Sequence, residues 1–379
     1  MFDIQDPRYP NSRLLNEALL EACQPAIYGA GTYAFVSADG VRLLMDNPIF
    51  EQFMEDGTYH LIAGLDDITN LRTLAALKEY GDQFPQMRAE AFLHPTTGST
   101  FHPKYSWFRY PRGGVLVLGS GNLTAKGLRR NTEAFVVQKL DEMEMQRVEQ
   151  KWIDWLHYSR PYLKALNSPE VIAKAGENGR RAEEKTSANS FADGHQSAPG
   201  GLSASTPVNW DSEQGAWSFD SDSPVLVAEC QPGANGTYQL NVDAALAKAF
   251  FGTATGPLEY MVWREVTDAG TLGDIRWQPD GMTSHKICQI ELPPCRYRIK
   301  AAEKELPFAV FVRLAPRTLL YAVLLPGNRG YKQLLRQSNR APRDEAGRIL
   351  YTSNGGQLKE QLNALALLRY LRPPEGPCN

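Results

Sequence analysis

Residues 101–137 constrain the fold of this chain most, because their pattern predicts three short β-strands in direct succession. Residues 101–110 alternate between apolar and polar side chains and are rich in aromatic rings. Residues 115–118 and 133–137 are short apolar runs, and glycine, proline or asparagine bounds each of the three runs. We therefore predict three consecutive strands joined by turns.

Five polar side chains lie on or beside these predicted strands. His102 and Lys104 are two residues apart, so on a strand both side chains leave the same face. The second run ends in a Gly-Ser-Gly-Asn turn that contains Ser120 and Asn122, where small residues let a ligand approach the backbone closely. Glu133 opens the third run. This arrangement predicts one compact polar site.

The five side chains suit one kind of chemistry, which is attack on phosphorus. An imidazole can form a covalent phosphohistidine if a partner holds it in the right tautomer, and Glu133 is the candidate for that partner. Lys104, Asn122 and Ser120 could donate hydrogen bonds to the phosphoryl oxygens as negative charge grows on them. The mechanism calls for no metal and no cofactor, because cationic side chains supply the electrostatic stabilisation.

The motif residues resemble those of the phospholipase D superfamily, whose half-site is H-x-K followed downstream by G-S-x-N. The usual superfamily motif has an aspartate five residues after the lysine, where this chain has Arg109. A downstream glutamate in place of that aspartate looks like the nuclease subgroup typified by the restriction endonucleases BfiI and NgoFVII. In that subgroup the His, Lys, Asn and Glu carry catalysis, which the resemblance transfers to His102, Lys104, Asn122 and Glu133. A lone H-x-K or a lone G-S-x-N turn would be unremarkable, but their order and spacing together favour the site.

The chain carries one copy of the H-x-K motif in this context. A phosphohistidine mechanism uses one histidine as nucleophile and a second to protonate the leaving oxygen. None of the other histidines precedes a lysine and a G-S-x-N turn in this way: His60, His94, His157, His195 and His285. We therefore predict a two-fold homodimer with one shared active site, as in the single-motif members of the family.

Composition leaves the substrate class open. The formal net charge of −3 means that any nucleic-acid surface is a local basic patch on an otherwise acidic body. The 5 cysteines are scattered, without the spacing of a zinc site or a disulfide framework. The N-terminal residues have no apolar signal-peptide core, and no run approaches the length of a membrane span. We expect a cytoplasmic protein with no membrane partner.

The order of predicted elements divides the chain into three intervals. Residues 1–166 alternate strands with helices, including helices at 41–54 and 141–166, which predicts an α/β (α+β) layered domain with the sandwich fold of that superfamily. The stripe Met145, Val148, Trp152 and Trp155 suits core packing or a dimer contact. Residues 167–222 are rich in Gly, Ser, Ala and Asn and are predicted to be a flexible linker. Residues 223–379 are predicted to be a β-rich second domain.

The second domain resembles, more loosely, the C-terminal domain of NgoFVII-type proteins, a B3-like pseudobarrel that recognises duplex DNA. The resemblance implies DNA as a partner and a restriction or anti-phage defence role, in which cleavage could also depend on a partner ATPase or helicase. Arg129 and Arg130 could contact flanking phosphates, and Arg296 and Arg298 alternate along one predicted strand. For Arg129 and Arg130 the equally weighted alternative is an exposed charged turn, whereas for Arg296 or Arg298 taken singly solvated surface charge is the plainer explanation.

Two other functions remain open from the sequence. The substrate could be another phosphodiester, such as RNA or a lipid headgroup, although lipid enzymes of the superfamily usually carry two motif copies. Alternatively, the chain could be a non-catalytic DNA-binding dimer whose nuclease fold serves as a scaffold.

Overall fold

The computed structural model describes residues 1–94, 100–192, 214–232, 237–252, 260–279, 287–292, 305–338, 343 and 347–373. These residues form two compact units. Unit 1 comprises Met1–Pro7 and Ser12–Ala216, and unit 2 comprises Arg8–Asn11 and the residues from Trp217 onward.

Unit 1 is a mixed α/β unit, in agreement with the predicted alternation of strands and helices. Its strands are β1 (Phe2–Gln5), β2 (Tyr28–Tyr33), β3 (Thr58–Gly64), β4 (Met87–Phe92), β5 (Lys104–Arg109), β6 (Gly114–Gly119), β7 (Glu133–Leu140) and β8 (Leu163–Ala165). Its helices are α1 (Leu15–Cys23), α2 (Ala38–Met45), α3 (Pro48–Asp56), α4 (Leu71–Gln83), α5 (Glu142–Ser159) and α6 (Pro169–Ala192), with a π-helical turn at Lys126–Arg130.

The eight strands form one sheet in the order β1-β7-β6-β5-β2-β3-β4-β8. The pairs β2–β3 and β3–β4 are parallel, and the remaining neighbours are antiparallel. Helix α5 packs Met145 and Trp152 against Trp107 on one face of the sheet. On the other face, Phe50 and Phe53 of α3 lie edge-on to Tyr59 of β3. Helices therefore cover both faces of the sheet over its central strands, where the parallel pairs lie.

Two predicted helices differ from those observed. The helix predicted at 41–54 is two helices, because Pro48 cannot continue α2 and Asn47 caps α3 by accepting a hydrogen bond from the Ile49 N–H at 2.9 Å. The helix predicted at 141–166 ends at Ser159, and Pro161 precedes the short strand β8. The apolar pattern continues through both breaks, which is why periodicity alone overlooked them.

The interval 167–222, predicted to be a linker, begins with helix α6. Val171 and Ala175 of this helix are buried against Leu65, Leu74 and Ala91. Asn178 donates hydrogen bonds to the carbonyl oxygens of Leu65 and Thr69 at 2.7 and 2.8 Å. Residues 193–213 of the interval lie outside the described residues.

Unit 2 is β-rich, as predicted. Its strands are β9 (Pro224–Glu229), β10 (Gln231–Pro232), β11 (Tyr238–Asp243), β12 (Tyr260–Val266), β13 (Leu272–Pro279), β14 (Ile287–Leu292), β15 (Phe308–Ala315), β16 (Thr318–Leu324) and β17 (Leu350–Asn354). Its helices are α7 (Ala244–Phe251), α8 (Tyr331–Ser338) and α9 (Gly355–Gln361).

The strands of unit 2 make a six-stranded sheet, β13-β12-β16-β15-β9-β17, and a three-stranded sheet, β10-β11-β14. The β15–β16 hairpin turns at Arg317, which adopts a positive φ of 51°. The core of unit 2 includes the aromatic side chains Phe251, Trp263 and Phe311. Within the described residues neither sheet closes on itself, so the B3-like pseudobarrel stays a prediction. In the same ranges, no helix combines the length and the apolar composition of a membrane span.

Candidate active site at one end of the unit 1 sheet

The predicted site residues come from strand ends that meet at one edge of the unit 1 sheet. Lys104 opens β5 and pairs with Tyr33, the last residue of β2. Strand β6 ends at Gly119, which pairs with Phe135 of β7, so the turn after β6 lies beside the start of β7 at Glu133. Antiparallel pairing thus brings the end of one strand to the start of the next at this edge.

His102 and Lys104 are in direct contact. The Lys104 Nζ lies 3.0 Å from Nδ1 and 3.2 Å from Nε2 of His102, and it donates to the His102 carbonyl oxygen at 3.2 Å. An ammonium group only donates hydrogen bonds, so the ring nitrogen that faces it is the acceptor. The imidazole is exposed, whereas the lysine is buried. Burial lowers the pKa of Lys104, and the negative charge of Glu133 offsets part of that shift.

Glu133 is held by two neighbours. Its Oε2 accepts a short hydrogen bond from Ser120 Oγ, and its Oε1 accepts one from Asn131 Nδ2 at 3.0 Å. The Ser120 hydroxyl also accepts from the Ala134 N–H at 3.1 Å. The Ser120 hydroxyl therefore donates its hydrogen bond to the Glu133 carboxylate in the structure, whereas a phosphoryl oxygen was its predicted acceptor. The orienting contact between Glu133 and the imidazole stays a prediction.

Asn122 has a defined amide orientation. Its Oδ1 accepts a hydrogen bond from the Phe35 N–H at 3.1 Å, so its NH₂ end points the other way and is the end that can donate to a ligand. The Phe35 ring also stands edge-on to the His102 imidazole, with ring centroids 6.1 Å apart. Phe35 therefore contacts two of the predicted site residues. No sequence pattern indicated the role of Phe35, because one of its two contacts with the site is made by its backbone N–H.

Two residues hold the segment between Asn122 and Glu133 in place. An ideal Cβ at Gly127 would lie 2.5 Å from the Asn122 carbonyl oxygen and 2.7 Å from its nitrogen, so only glycine fits there. Gln5, fully buried on β1, donates from Nε2 to the carbonyl oxygens of Gly127 and Asn131 at 3.1 and 2.8 Å. Sequence reasoning overlooked Gln5, because a single polar residue near the N-terminus has no pattern around it.

Arg109 occupies the position of the usual aspartate, and it lies at the opposite end of β5 from Lys104. Its guanidinium donates to Glu149 at 2.9 Å and to Glu142 at 2.5 Å, both on α5. These bonds raise the pKa of Arg109, chiefly through Glu142. Arg109 therefore joins the sheet to α5.

The four arginines predicted to contact DNA have different surroundings. Arg129 is fully buried, with Nη1 donating to Asn16 Oδ1 at 2.9 Å and Nη2 3.7 Å from Glu17 Oε1. A phosphate contact from Arg129 would require these interactions to break. Arg130 donates a short hydrogen bond to the carbonyl oxygen of Ala216. The remaining two, Arg296 and Arg298, lie outside the described residues.

Two other histidines of unit 1, His60 and His94, differ in their surroundings. His60 is buried, and its Nε2 lies 3.0 Å from Glu90 Oε2. Burial lowers the pKa of His60, and its hydrogen bond to Glu90 offsets part of that shift. The ring of His94 lies 6.1 Å from that of Phe92, which stacks at 4.2 Å on Phe101, the residue before His102. His60 is thus buried and paired with Glu90, whereas His94 lies beside Phe92, which stacks on the residue before His102.

No protein-family model and no curated protein matches the sequence. Among solved structures, NucT from Helicobacter pylori is 13% identical, over 44% of this chain and 98% of that chain, with a TM-score of 0.31. Nuc, a phospholipase D family member from Salmonella typhimurium, is 14% identical over 43% of this chain and 96% of that chain, with a TM-score of 0.31. Phosphatidylserine synthase from Haemophilus influenzae is 14% identical over 50% of this chain and 46% of that chain, with a TM-score of 0.32.

Proposed function

We propose that this chain is a metal-independent phosphodiesterase of the phospholipase D superfamily, of the BfiI and NgoFVII type, that cuts DNA through a phosphohistidine intermediate. The observation that carries the proposal is the contact between His102 and Lys104. An exposed imidazole with a buried ammonium group 3.0 Å from its Nδ1 is a nucleophile placed beside a fixed positive charge. Ordinary surface packing gives no reason to desolvate a lysine against a histidine.

In the first step, a ring nitrogen of His102 attacks phosphorus. A nitrogen–phosphorus bond forms, the bond to the leaving oxygen breaks, and a second histidine transfers a proton to that oxygen. Lys104 and the NH₂ of Asn122 donate to the non-bridging oxygens, where negative charge accumulates. In the second step, water attacks phosphorus and gives its proton to the second histidine, and the nitrogen–phosphorus bond breaks. Both histidines then return to their starting states.

Glu133 supports this cycle in two ways under the proposal. Its negative charge counteracts the loss of the Lys104 proton, which burial favours. In the substrate complex it would also hold the second ring N–H of His102, with Ser120 and Asn131 keeping the carboxylate in place until then. Ser120 would then be free to donate to a phosphoryl oxygen as well.

The second histidine comes from another copy of the chain in this proposal. His60 is a poor candidate, because it is buried and pairs with Glu90. Two copies related by a two-fold axis would contribute His102 as nucleophile and the partner's His102 as general acid. His94 of the same chain is the competing donor, and the activity of His94→Ala distinguishes the two.

Unit 2 is proposed to bind duplex DNA as a B3-like domain and to direct cleavage to chosen sites. A cytoplasmic restriction or anti-phage defence enzyme would need both parts, a nuclease and a DNA reader, and could also require an ATPase or helicase partner. The β-rich architecture of unit 2 supports this assignment only at the level of fold class.

The first test is cleavage of plasmid DNA in excess EDTA. Wild type and His157→Ala, which removes an exposed histidine on α5, should both cut, whereas His102→Ala should lose at least about 10³-fold in rate. A denaturing mass measurement should show an alkali-stable phosphoryl adduct on His102 in wild type. Cleavage by His102→Ala at the wild-type rate would remove the central claim. RNA under the same conditions tests the alternative substrate.

The donor of the second proton has its own experiment. Under this proposal His94→Ala retains activity on its own. If His94 were the donor, His94→Ala would be as inactive as His102→Ala.

A further inference from the structure

The chain segment that follows β2 is attached to both halves of the candidate site. The Ala34 N–H donates to the carbonyl oxygen of Pro103, the middle residue of the H-x-K motif, at 2.9 Å. The Ser37 N–H donates to the carbonyl oxygen of Leu123, the residue after the Gly-Ser-Gly-Asn turn, at 3.0 Å. Phe35 lies between these two attachments, so its backbone is held from both sides.

Phe35 differs from its neighbours in exposure. Ala34 and Val36 are fully buried, whereas Phe35 is half-buried and keeps part of its surface in contact with solvent. Its ring lies at 84° to the exposed imidazole of His102, and its N–H donates to Asn122 Oδ1. An aromatic ring therefore borders the place where the proposed mechanism puts the phosphoryl group.

A partly exposed ring beside a nucleophile suits a substrate that carries a ring of its own. A nucleobase of any sequence has a planar face that can stack on phenylalanine. A lipid headgroup offers no such face. Contact with the imidazole accounts for part of the burial of Phe35, and a stacked base would cover the remaining surface.

We propose that Phe35 stacks on a nucleobase next to the scissile phosphate, and that this contact selects single-stranded DNA. The assignment rests on the proposed function, because it takes a phosphodiester at His102 as its starting point. A base inside a duplex is paired and stacked on its neighbours, so it must leave the helix before it can reach Phe35. Single strands should therefore be cleaved faster than duplexes of the same sequence. Duplex recognition by unit 2 would then concern nucleotides other than the one that is cut.

The test compares two single-stranded substrates within each variant of the full chain. One is a dye-labelled oligothymidylate, and the other is an oligomer of the same length whose nucleotides lack bases. The ratio of their kcat/KM values in EDTA measures the preference for a base. Wild type should favour the thymidine oligomer, and Phe35→Leu should reduce that preference roughly 5- to 150-fold, the range for one base stacked on an aromatic ring. An effect of the substitution on the His102 ring acts on both substrates and cancels in the ratio.

Two control variants separate stacking from a general effect of the substitution. Phe35→Trp retains a ring that can stack and should keep the wild-type preference. Tyr158→Leu removes an aromatic ring that is 81% exposed on α5, which is not part of the site, and should also keep that preference.

The outcomes distinguish the stacking contact from the proposed function. An unchanged preference in Phe35→Leu would overturn the contact, and equal cleavage of single strand and duplex by wild type would overturn the selection of single strands. If wild type cleaves neither oligomer, the proposed function fails, and fluorescence anisotropy of the intact oligomers gives the same ratio from binding. A preference that Phe35→Leu loses in binding, without any cleavage, would uphold the contact and refute the phosphodiesterase. An inactive Phe35→Leu protein is judged by the same binding ratio.

Discussion

Replacing Asn122 by aspartate separates two contributions of one side chain. The Oδ1 of Asn122 accepts from the Phe35 N–H at 3.1 Å, and aspartate can accept the same hydrogen bond with the same shape. The substitution exchanges only the outward NH₂ donor for a second, negatively charged oxygen. Asn122→Asp should therefore keep the local backbone in place while removing the contact proposed for the phosphoryl group.

The expected effect can be estimated from comparable sites. Loss of one preorganised donor to a developing negative charge lowers kcat by about 10²–10³, equivalent to about 2.7–4 kcal/mol, and charge repulsion adds to that. Asn122→Ala removes the donor and also leaves the partly buried Phe35 N–H without its acceptor, which costs about 1 kcal/mol of unfolding free energy. The two variants should be similarly inactive, and only Asn122→Ala should melt at a lower temperature.

Single-turnover cleavage in EDTA measures the rate, and thermal melting measures the stability. If Asn122→Asp retained more than roughly a tenth of the wild-type rate, the outward NH₂ would not be a transition-state donor. If Asn122→Asp melted as low as Asn122→Ala, the assigned orientation of the amide would be wrong. Either result refutes part of the reasoning without depending on the identity of the nucleophile.

Three further outcomes are expected. Under the proposed mechanism activity needs charged Lys104 and is lost as pH rises through the pKa of Lys104. Glu133→Gln removes a charge that raises this pKa and should therefore move the alkaline limb of the kcat profile to lower pH; an unmoved limb would contradict the coupling. Arg129→Leu leaves the buried carboxylate of Glu17 without its cation and should lower the unfolding free energy by about 3 kcal/mol in denaturant melts, whereas a normal melt with weakened DNA binding would favour a phosphate contact. Gly127→Ala forces a Cβ against the backbone of Asn122 and should cost about 1–3 kcal/mol of stability together with much of kcat; an active, stable variant would show that this turn can shift.

Much of the architecture was predictable from local patterns. Alternating strands and helices in residues 1–166 predicted a mixed α/β unit, and the apolar runs after residue 223 predicted a β-rich one. Helix α6 escaped prediction because it buries only a narrow apolar side, through Val171 and Ala175, in a segment that is otherwise polar. Strand β1 was not predicted, because it has only four residues and its two apolar side chains are exposed, so it lacks the alternation of buried apolar and exposed polar residues that usually identifies a strand.

The site was predictable as a set of residue types and less so as a set of contacts. The H-x-K spacing and the two downstream residues on neighbouring strand ends could be identified from order alone. The bond between Ser120 and Glu133 could not, since it depends on the pairing of β6 with β7. The burial of Arg129 depends on a π-helical turn, which rotates side chains away from the positions that an α-helical count would give them.

The pairing of β1 with β7 has a consequence for the order of folding. Gln5 pairs with Glu133 in the sheet, and its side chain reaches Gly127, 122 residues further along the chain. Strand β1 is therefore synthesised well before β7, with which it pairs, and a contact between such distant residues closes late. A nascent chain can form the candidate site only after β7 has been made, so the site is completed late in the folding of unit 1.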